Sequence, residues 1–318
     1  MNNDKKYYEG FCKNHQLPIF YQPWWLDCLA GENNWDVAIY KKSNEIFGVL
    51  PYYQKNKIGF KFLGLPILSQ HLGPWLIYPD GQKNNTKLSF EKEALSFLIN
   101  QLPKANISVI KFHHSVQNIL PFVWNGFRSS VKYTYLIKDI HKKETNLLEN
   151  LSSNTRKNIK KAEKNLEVFE SEDITKLYEL INMTFQRQNL KVPYSKEVLH
   201  NLFKTCHSKG LSKILMAKDN TGNIHSGILL IWNEKTVYYL VGGSDPLYRK
   251  SEAMTLIMWE SVKFASSFAQ EFDFEGTMVE SIERFIRGFG ATQHPYFQLS
   301  KVKPSFLKPL FEKKYNLS

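Results

Sequence analysis

Two carboxylates at the end of a predicted strand are the strongest candidates for acid–base chemistry. Asp273 and Glu275 alternate with phenylalanines, so in a strand over 271–275 both carboxylates point to one face. A glycine follows, and ligands of open sheets bind at such strand ends. We expect Glu275, or else Asp273, to act as a base or to position an amine. The other acid then pairs with Arg284 or Arg287, and such a structural ion pair is the alternative role for either carboxylate.

A second candidate is the sequence that ends the preceding predicted strand, over 236–241. Gly242, Gly243 and Ser244 lie between this strand and a predicted helix. Glycines there would let backbone N–H groups approach a carbonyl or a phosphate closely. Arg249 and Lys250 would add positive charge at the helix entrance. The alternative is an ordinary strand–turn–helix connection without a ligand.

Positive charge is the third feature of this sequence. The net charge is +12, and five basic residues against one acid occupy residues 152–164, a pattern repeated over 301–314. Such a surplus favours polyanionic partners, namely nucleic acid, anionic headgroups or phosphate-bearing small molecules. Arg156 and Lys160 in the first segment are candidates for phosphate contact. A solvated basic face is the alternative.

Composition excludes several classes of protein. Hydrophobic residues make up 42% and charged residues 23% of 318, which is typical of a globular chain. No apolar run approaches the ~18 residues of a membrane span, and the first residues do not resemble a secretory signal. The three cysteines, Cys12, Cys28 and Cys206, are too widely spaced for a disulfide framework or a zinc site. We therefore expect a cytoplasmic protein that holds no metal.

The order of the predicted elements indicates two similar α/β halves. Apolar periodicity, β-branched and aromatic runs and turn residues predict the following elements. Helices are expected over 23–31, 90–102, 120–124, 145–165, 174–188, 195–207, 253–268 and 282–289; strands are expected over 35–41, 45–54, 58–68, 75–78, 107–112, 132–137, 213–218, 224–232, 236–241, 271–275 and 296–301. Because the order repeats, we predict two domains, 1–142 and 143–318.

The second half resembles the FemAB-like branch of the GNAT acyltransferases. The resemblance rests on motifs that follow one another in the order found in that family. They are Ser-Ser-Asn-Thr-Arg-Lys-Asn-Ile-Lys-Lys-Ala at 152–162, Gln-Arg-Gln at 186–188, Tyr-Tyr-Leu-Val-Gly-Gly-Ser-Asp at 238–245 with Arg249, Asp-Phe-Glu-Gly-Thr at 273–277, and Phe-Ile-Arg-Gly-Phe-Gly-Ala at 285–291. The first half is similar more loosely, through Pro-Trp-Trp at 23–25 and Gln-His-Leu-Gly-Pro at 70–74.

The resemblance implies two tandem GNAT-like domains of the α/β class, with mixed, mostly antiparallel sheets flanked by helices. It further implies transfer of an aminoacyl or acyl group to an amine of a cell-envelope precursor or small metabolite. The co-substrate would be aminoacyl-tRNA or acyl-CoA, with no permanently bound cofactor. Candidate catalytic residues are Glu275, Asp273 and Tyr239; candidates for substrate or donor binding are Gly242, Gly243, Ser244, Arg249, Arg156, Lys160, Arg187, Arg287, Trp25 and Gln70.

Two features depart from the family pattern. The glycine-containing pyrophosphate loop of many GNAT enzymes is missing, since 246–253 contains no glycine, and this weighs against acyl-CoA. The chain also has no room for the helical-hairpin insertion of some peptidoglycan-bridge enzymes, so the resemblance does not establish aminoacyl-tRNA as the donor. Peripheral contact with an anionic membrane is compatible with the charge. The rival interpretation is a non-catalytic tandem-GNAT module that binds RNA or anionic membrane through its basic face.

Overall fold

The computed structural model describes residues 3–57, 59–142 and 144–304, and the chain divides into two compact units. Unit 1 consists of Met1–Lys132 and Pro295–Ser318, and unit 2 of Tyr133–His294. Residues from Pro295 onward thus belong to the same unit as the first half of the sequence. The domain boundary at 142/143 stays a prediction. Of the basic segment over 301–314, the part after residue 304 lies outside the described residues.

Unit 1 begins with two helices and continues with a sheet. Its elements are α1 (Asn3–Asn14), α2 (Pro23–Ala30), β1 (Trp35–Lys42), β2 (Glu45–Lys57), β3 (Phe60–Gly64), β4 (Trp75–Leu76), α3 (Asn84–Gln101), β5 (Ile107–Lys111), α4 (Leu120–Trp124) and the first part of β6 (Arg128–Lys138). Its core packs α3 residues such as Ala94, Leu95 and Leu98 against strand residues such as Leu50 and Leu63.

Unit 2 repeats most of this order. It holds the end of β6, α5 (Glu144–Asn150), α6 (Ser153–Ala162), β7 (Leu166–Ser171), α7 (Ile174–Arg187), α8 (Lys196–His207), β8 (Ser212–Asp219), β9 (Ile224–Trp232), β10 (Thr236–Ser244), α9 (Ala253–Ser266), β11 (Glu271–Asp273), α10 (Glu280–Arg287) and the start of β12 (Thr292–Val302). Helix α9 is buried along most of its length in the core of this unit.

Each unit contains one parallel pair of strands in a sheet that is otherwise antiparallel. In unit 1 the order is β1-β2-β3-β5-β12, with β4 beside β2, and β3 runs parallel to β5. In unit 2 the order is β6-β11-β10-β9-β8-β7, and β10 runs parallel to β11. The expected α/β fold with mostly antiparallel sheets flanked by helices is confirmed.

The last predicted strand in each half of the sequence, β6 or β12, pairs with a strand that belongs to the other half of the sequence. Strand β6 enters unit 2 at Tyr133 and pairs there antiparallel with β11. Strand β12 enters unit 1 at Pro295 and pairs antiparallel with β5. Sequence patterns predict that these segments are strands, but they do not predict which strand is the partner.

The structure corrects several predicted elements. The single helix expected over 145–165 is two helices, because Ser152 has extended backbone angles and its side chain accepts a hydrogen bond from Thr155 N. Helix α1 was not predicted; it is polar except for a buried stripe of Tyr8, Phe11 and Cys12. Strand β7 was also not predicted; it lies just beyond the helix expected over 145–165.

Among the described residues, no helix is both long enough and apolar enough to span a bilayer.

Candidate active site

The candidate site lies where the two parallel strands of unit 2 separate. Strand β10 pairs with β11 only from Thr236 to Tyr238, whereas it pairs with β9 as far as Ser244. The register with β9 shifts between Tyr239 and Val241, which is a bulge at Leu240. In the described part of the chain, the β11 side of β10 therefore has no strand partner beyond Tyr238.

The chain after β11 leaves β10 because it stays beside β6. Phe274 N donates a hydrogen bond of 3.0 Å to Tyr135 O. Gly276 has φ +60°, and a Cβ there would lie 2.1 Å from Tyr133 O. A side chain at this position is therefore disfavoured by the left-handed backbone and excluded by contact with β6.

Asp273 is a buried structural carboxylate. Its side chain is 2% exposed and accepts hydrogen bonds from Thr134 Oγ1 at 2.5 Å and from Glu275 N at 2.8 Å. The expected arginine partners instead form ion pairs along α10, Arg284 with Glu280 and Arg287 with Glu283. Asp273 thus fixes the turn that carries Glu275.

Glu275 lies outside the strand in which we predicted it. Strand β11 ends at Asp273, and Glu275 has φ +58°, a conformation that non-glycine residues seldom adopt. The strict alternation expected of 271–275 therefore does not apply, and Glu275 is presented by the turn. Its half-buried carboxylate interacts electrostatically with Tyr239 and Tyr194, whose pKa values rise mainly through burial and in part through this charge.

Tyr239 and Tyr194 complete this polar cluster. Burial, and then the charge of Glu275, raise the pKa of Tyr239 to about 12. Burial also raises the pKa of Tyr194, whose backbone carbonyl accepts a hydrogen bond from Tyr178 Oη at 3.0 Å. Both phenols therefore keep their protons at neutral pH and can donate hydrogen bonds to a bound group.

The glycine pair of β10 has a packing role. A Cβ on Gly243 would lie 2.2 Å from the carbonyl carbon of Leu180, so the α7 backbone rests directly on the strand. A Cβ on Gly242 would lie 2.7 Å from Tyr239 Oη. Ser244 N donates to Thr184 Oγ1 at 2.9 Å, so this N–H is already used and cannot serve an oxyanion here.

A cleft of about 1010 Å³ opens where β10 leads into α9. Arg249 and Lys250 line it from the 3₁₀ helix Pro246–Ser251, and Lys161 lines it from α6. Lys161 Nζ also donates to Lys250 O at 2.7 Å, which holds the two segments together. The cleft thus has three cationic side chains at the entrance to α9.

A histidine forms part of the wall of this cleft. The imidazole of His225 stacks on the ring of Tyr248, with centroids 4.0 Å apart and planes 6° apart. His225 Nε2 lies 3.1 Å from Asp219 Oδ2. Hydrogen bonds from Asn223 and Thr221 hold the pKa of the Asp219 carboxyl well below its usual range, so this carboxylate stays charged beside the imidazole.

The other predicted binding residues lie elsewhere. Arg156 and Lys160 on α6, Arg187 at the end of α7 and Arg287 on α10 are all exposed, and none of them lines the cleft.

Two further predicted binding residues, Trp25 and Gln70, are in unit 1. Trp25 is fully buried and donates from Nε1 to Ser69 Oγ at 2.9 Å, so its side chain has no surface to offer a ligand. Gln70 is 9% exposed. Their burial does not support the predicted contacts with substrate.

Sequence reasoning missed Tyr194, Lys161, His225 and Tyr248. Tyr194 is in the loop between α7 and α8, and nothing in its neighbours marks it. Lys161 belongs to the basic segment, in which we selected Arg156 and Lys160. The sequence did not indicate which side of α6 faces the cleft. In the described ranges, no group of three or more His, Cys, Asp or Glu side chains is arranged to hold a metal ion.

Comparison with known proteins gives the family of the domain that carries this site. Residues 153–278 match the family model described as acetyltransferase (GNAT) domain. No curated protein sequence matches the chain.

Solved structures show the same fold over nearly the whole chain. FemX superposes with a TM-score of 0.68 at 16% identity, covering 98% of this chain and 99% of that one. L-PGS from Bacillus licheniformis gives 0.52 at 10% identity, covering 97% and 95%. A tandem GNAT protein from the clavulanic acid biosynthesis pathway gives 0.51 at 10% identity, covering 88% and 94%. Residues 153–278 thus match the GNAT acetyltransferase domain model, and the chain has the fold of FemX, in line with the resemblance to FemAB-like GNAT acyltransferases.

Proposed function

We propose that the protein transfers an acyl or aminoacyl group from a phosphate-bearing donor to an amine, with the reaction at the opening between β10 and β11. The observation that carries the proposal is the electrostatic interaction of Glu275 with Tyr239 and Tyr194. One carboxylate and two protonated phenols are thus coupled beside the stretch of β10 that pairs with β9 but no longer with β11. The GNAT domain spans all three residues.

The proposed reaction is an acyl transfer. The amine nitrogen of the acceptor attacks the carbonyl carbon of the donor, forming a C–N bond and a negatively charged oxygen. The carbonyl then re-forms while the C–S bond of a thioester, or the C–O bond of an ester, breaks. Glu275 accepts the proton that the amine loses and passes it to the sulfur or oxygen atom that leaves, so a thiol or an alcohol is released. Tyr239 donates a hydrogen bond to the oxygen that becomes negative, because its raised pKa keeps the phenol protonated.

The cationic cleft is the proposed site for the donor phosphates. Arg249, Lys250 and Lys161 supply positive charge there, and the N-terminus of α9 adds its dipole. Ser244 is five positions after Tyr239 along the strand, a distance of about 16 Å. An extended arm between phosphate and acyl group would span that distance. Acyl-CoA and aminoacyl-tRNA both meet these requirements, so the assay must include both.

The test compares two carboxylate variants. Single-turnover transfer is measured with acetyl-CoA and with aminoacyl-tRNA as donors and a panel of primary amines as acceptors. Glu275→Gln should lower the transfer rate by roughly 10²–10⁴-fold without lowering the melting temperature. Asp273→Asn should instead lower the melting temperature, because it weakens the buried hydrogen bonds to Thr134 and Glu275 N.

Glu283→Gln is the matched control, because this glutamate pairs with Arg287 on α10 away from the cluster. It should leave the transfer rate unchanged. If Glu275→Gln transfers the group as fast as the wild type, the base lies elsewhere, or positioning of the two substrates alone suffices for catalysis. Binding of tRNA or vesicles with no transfer to any amine would favour the non-catalytic module instead.

A further inference from the structure

Helix α4 of unit 1 exposes an apolar surface. Leu120, Val123 and Trp124 are 52%, 39% and 61% exposed, and they share one face of the helix. Leu88 on α3 is 49% exposed and is one turn before Lys92, whose Nζ lies 5.6 Å from the Trp124 ring centroid. We call these five residues the α4 patch.

The helix that carries the patch is firmly anchored. Its other face, Pro121 and Phe122, is buried, and Phe122 stacks edge-on with Phe112 and Phe127 in the core. Asn125 ends the helix and its carbonyl accepts a hydrogen bond from Lys301 Nζ. The exposed side chains are therefore held outward by a rigid support, and their exposure is a property of the fold.

The charge around the patch is positive. Lys92 Nζ lies 5.6 Å from the Trp124 ring centroid, and Lys301 Nζ donates to the carbonyl of Asn125 at the end of α4. Of the two acids next to Lys92 in sequence, Glu91 is buried and accepts hydrogen bonds from Tyr78 Oη and Asn118 Nδ2, and Glu93 pairs with Lys42. An approaching anionic surface would thus meet two lysines at the patch, and both neighbouring carboxylates already have partners.

We propose that the α4 patch docks the protein onto an anionic lipid bilayer. Tryptophan and leucine side chains partition into the boundary between headgroups and acyl chains. Lysines and arginines beside them are attracted to anionic headgroups. A patch of five side chains is much smaller than the 20–30 residues per partner of a stable protein interface. It suits reversible adsorption in which apolar insertion and charge act together.

Vesicle sedimentation tests the proposal on the full chain. Binding is measured to vesicles of mixed phosphatidylglycerol and phosphatidylcholine and to vesicles of phosphatidylcholine alone. The wild type should bind the anionic vesicles, and binding should weaken with salt. The double variant Leu120→Ser/Trp124→Ser should bind about tenfold less. Leu148→Ser is the matched control, because Leu148 is also 52% exposed but belongs to unit 2; it should bind like the wild type.

Fluorescence quenching keeps the test decisive if the double variant fails to fold. Trp124 is the most exposed of the seven tryptophans, so lipids brominated near the headgroup should quench its emission in bound protein. Trp124→Phe should still bind and lose that quenching. Unchanged quenching in Trp124→Phe, or unchanged binding in the double variant, would overturn the proposal. So would a dimer that dissociates in the double variant without vesicle binding, since a second copy would then cover the patch.

Discussion

The two units differ at the ends of their parallel strand pairs, although both pairs arise at the same point in the order of elements. In unit 1 the end of β5 is covered by the segment 70–76. Leu72 N donates to Lys111 O at 3.0 Å, and a Cβ on Gly73 would lie 3.0 Å from the same oxygen. In unit 2 the chain after β11 follows β6 instead, and β10 continues past Tyr238 paired with β9 but not with β11.

The side chains at the two places differ accordingly. Around the covered end in unit 1, His71 packs against Phe20 and His113, with ring centroids 5.0 Å and 4.7 Å away. At the open end in unit 2, Glu275 lies beside Tyr239. An opening lined by a carboxylate and protonated phenols can do acyl-transfer chemistry, whereas a close-packed aromatic cluster serves stability. The comparison teaches that one order of elements supports both roles, and the segment after the parallel pair decides between them.

The largest expected effect on stability comes from adding a side chain at Gly243, where the backbone of α7 packs directly on β10. In Gly243→Ala the new Cβ would lie within 2.3 Å of the Leu180 and Ile181 backbone, and a helix backbone cannot move aside as a side chain can. We expect a loss of about 3 kcal/mol or more in the free energy of unfolding. Urea denaturation measures it.

Gly10→Ala in α1 is the control for this substitution, because a Cβ at Gly10 meets nothing within 4 Å. It should stabilise unit 1 by about 0.5–1 kcal/mol through helix propensity. Equal stabilities for Gly243→Ala and the wild type would mean that α7 does not rest on β10 as described.

A smaller effect is expected from removing one phenolic hydroxyl in each unit. Tyr239→Phe should lower the transfer rate by about 10–100-fold, because it deletes the hydrogen bond proposed for the reacting oxygen. Tyr53→Phe removes the hydroxyl of a half-buried tyrosine that lies opposite Gly64 of β3, beside the parallel pair of unit 1. It should leave the rate unchanged. If the two variants behave alike in single-turnover transfer, the assignment of chemistry to unit 2 is wrong.

The smallest effect concerns the pH dependence of unit 1. Burial, and then His114 and Lys111, hold the pKa of His71 well below its usual value of 6.5. The unfolded chain therefore binds a proton at His71 below about pH 6.5, while the folded chain does not. Stability should fall with decreasing pH by up to about 1.4 kcal/mol per pH unit from this group. In His71→Gln that contribution is absent, so the difference in stability from the wild type should change between pH 7 and pH 5.5. If the free energies of unfolding of the wild type and His71→Gln change in parallel between pH 7 and pH 5.5, His71 does not contribute to the pH dependence.

Sequence patterns predicted most of unit 2 because its signals are local. Asp173 and Ser195 each cap a predicted helix with a side-chain hydrogen bond, and these residue types favour such positions. The motif 273–277 was correctly identified as the end of a strand, but the strand stops two residues before Glu275. The reason is not local: Thr134 and Tyr135 of β6 hold Asp273 and Phe274, and no pattern near Glu275 contains that information.

The sequence by itself determined the type of most elements, the repeated order, the basic surplus and the resemblance to a GNAT acyltransferase. These depend on residue periodicity, caps and composition, which act over a few residues. Only the tertiary structure decided that β6 pairs with β11 and β12 with β5, that Gly243 accommodates a helix, and that Tyr194 meets Glu275 and Tyr239. Strand pairing and close packing join residues that are distant along the chain, and an alternating pattern fits many partners equally well until the whole core is assembled.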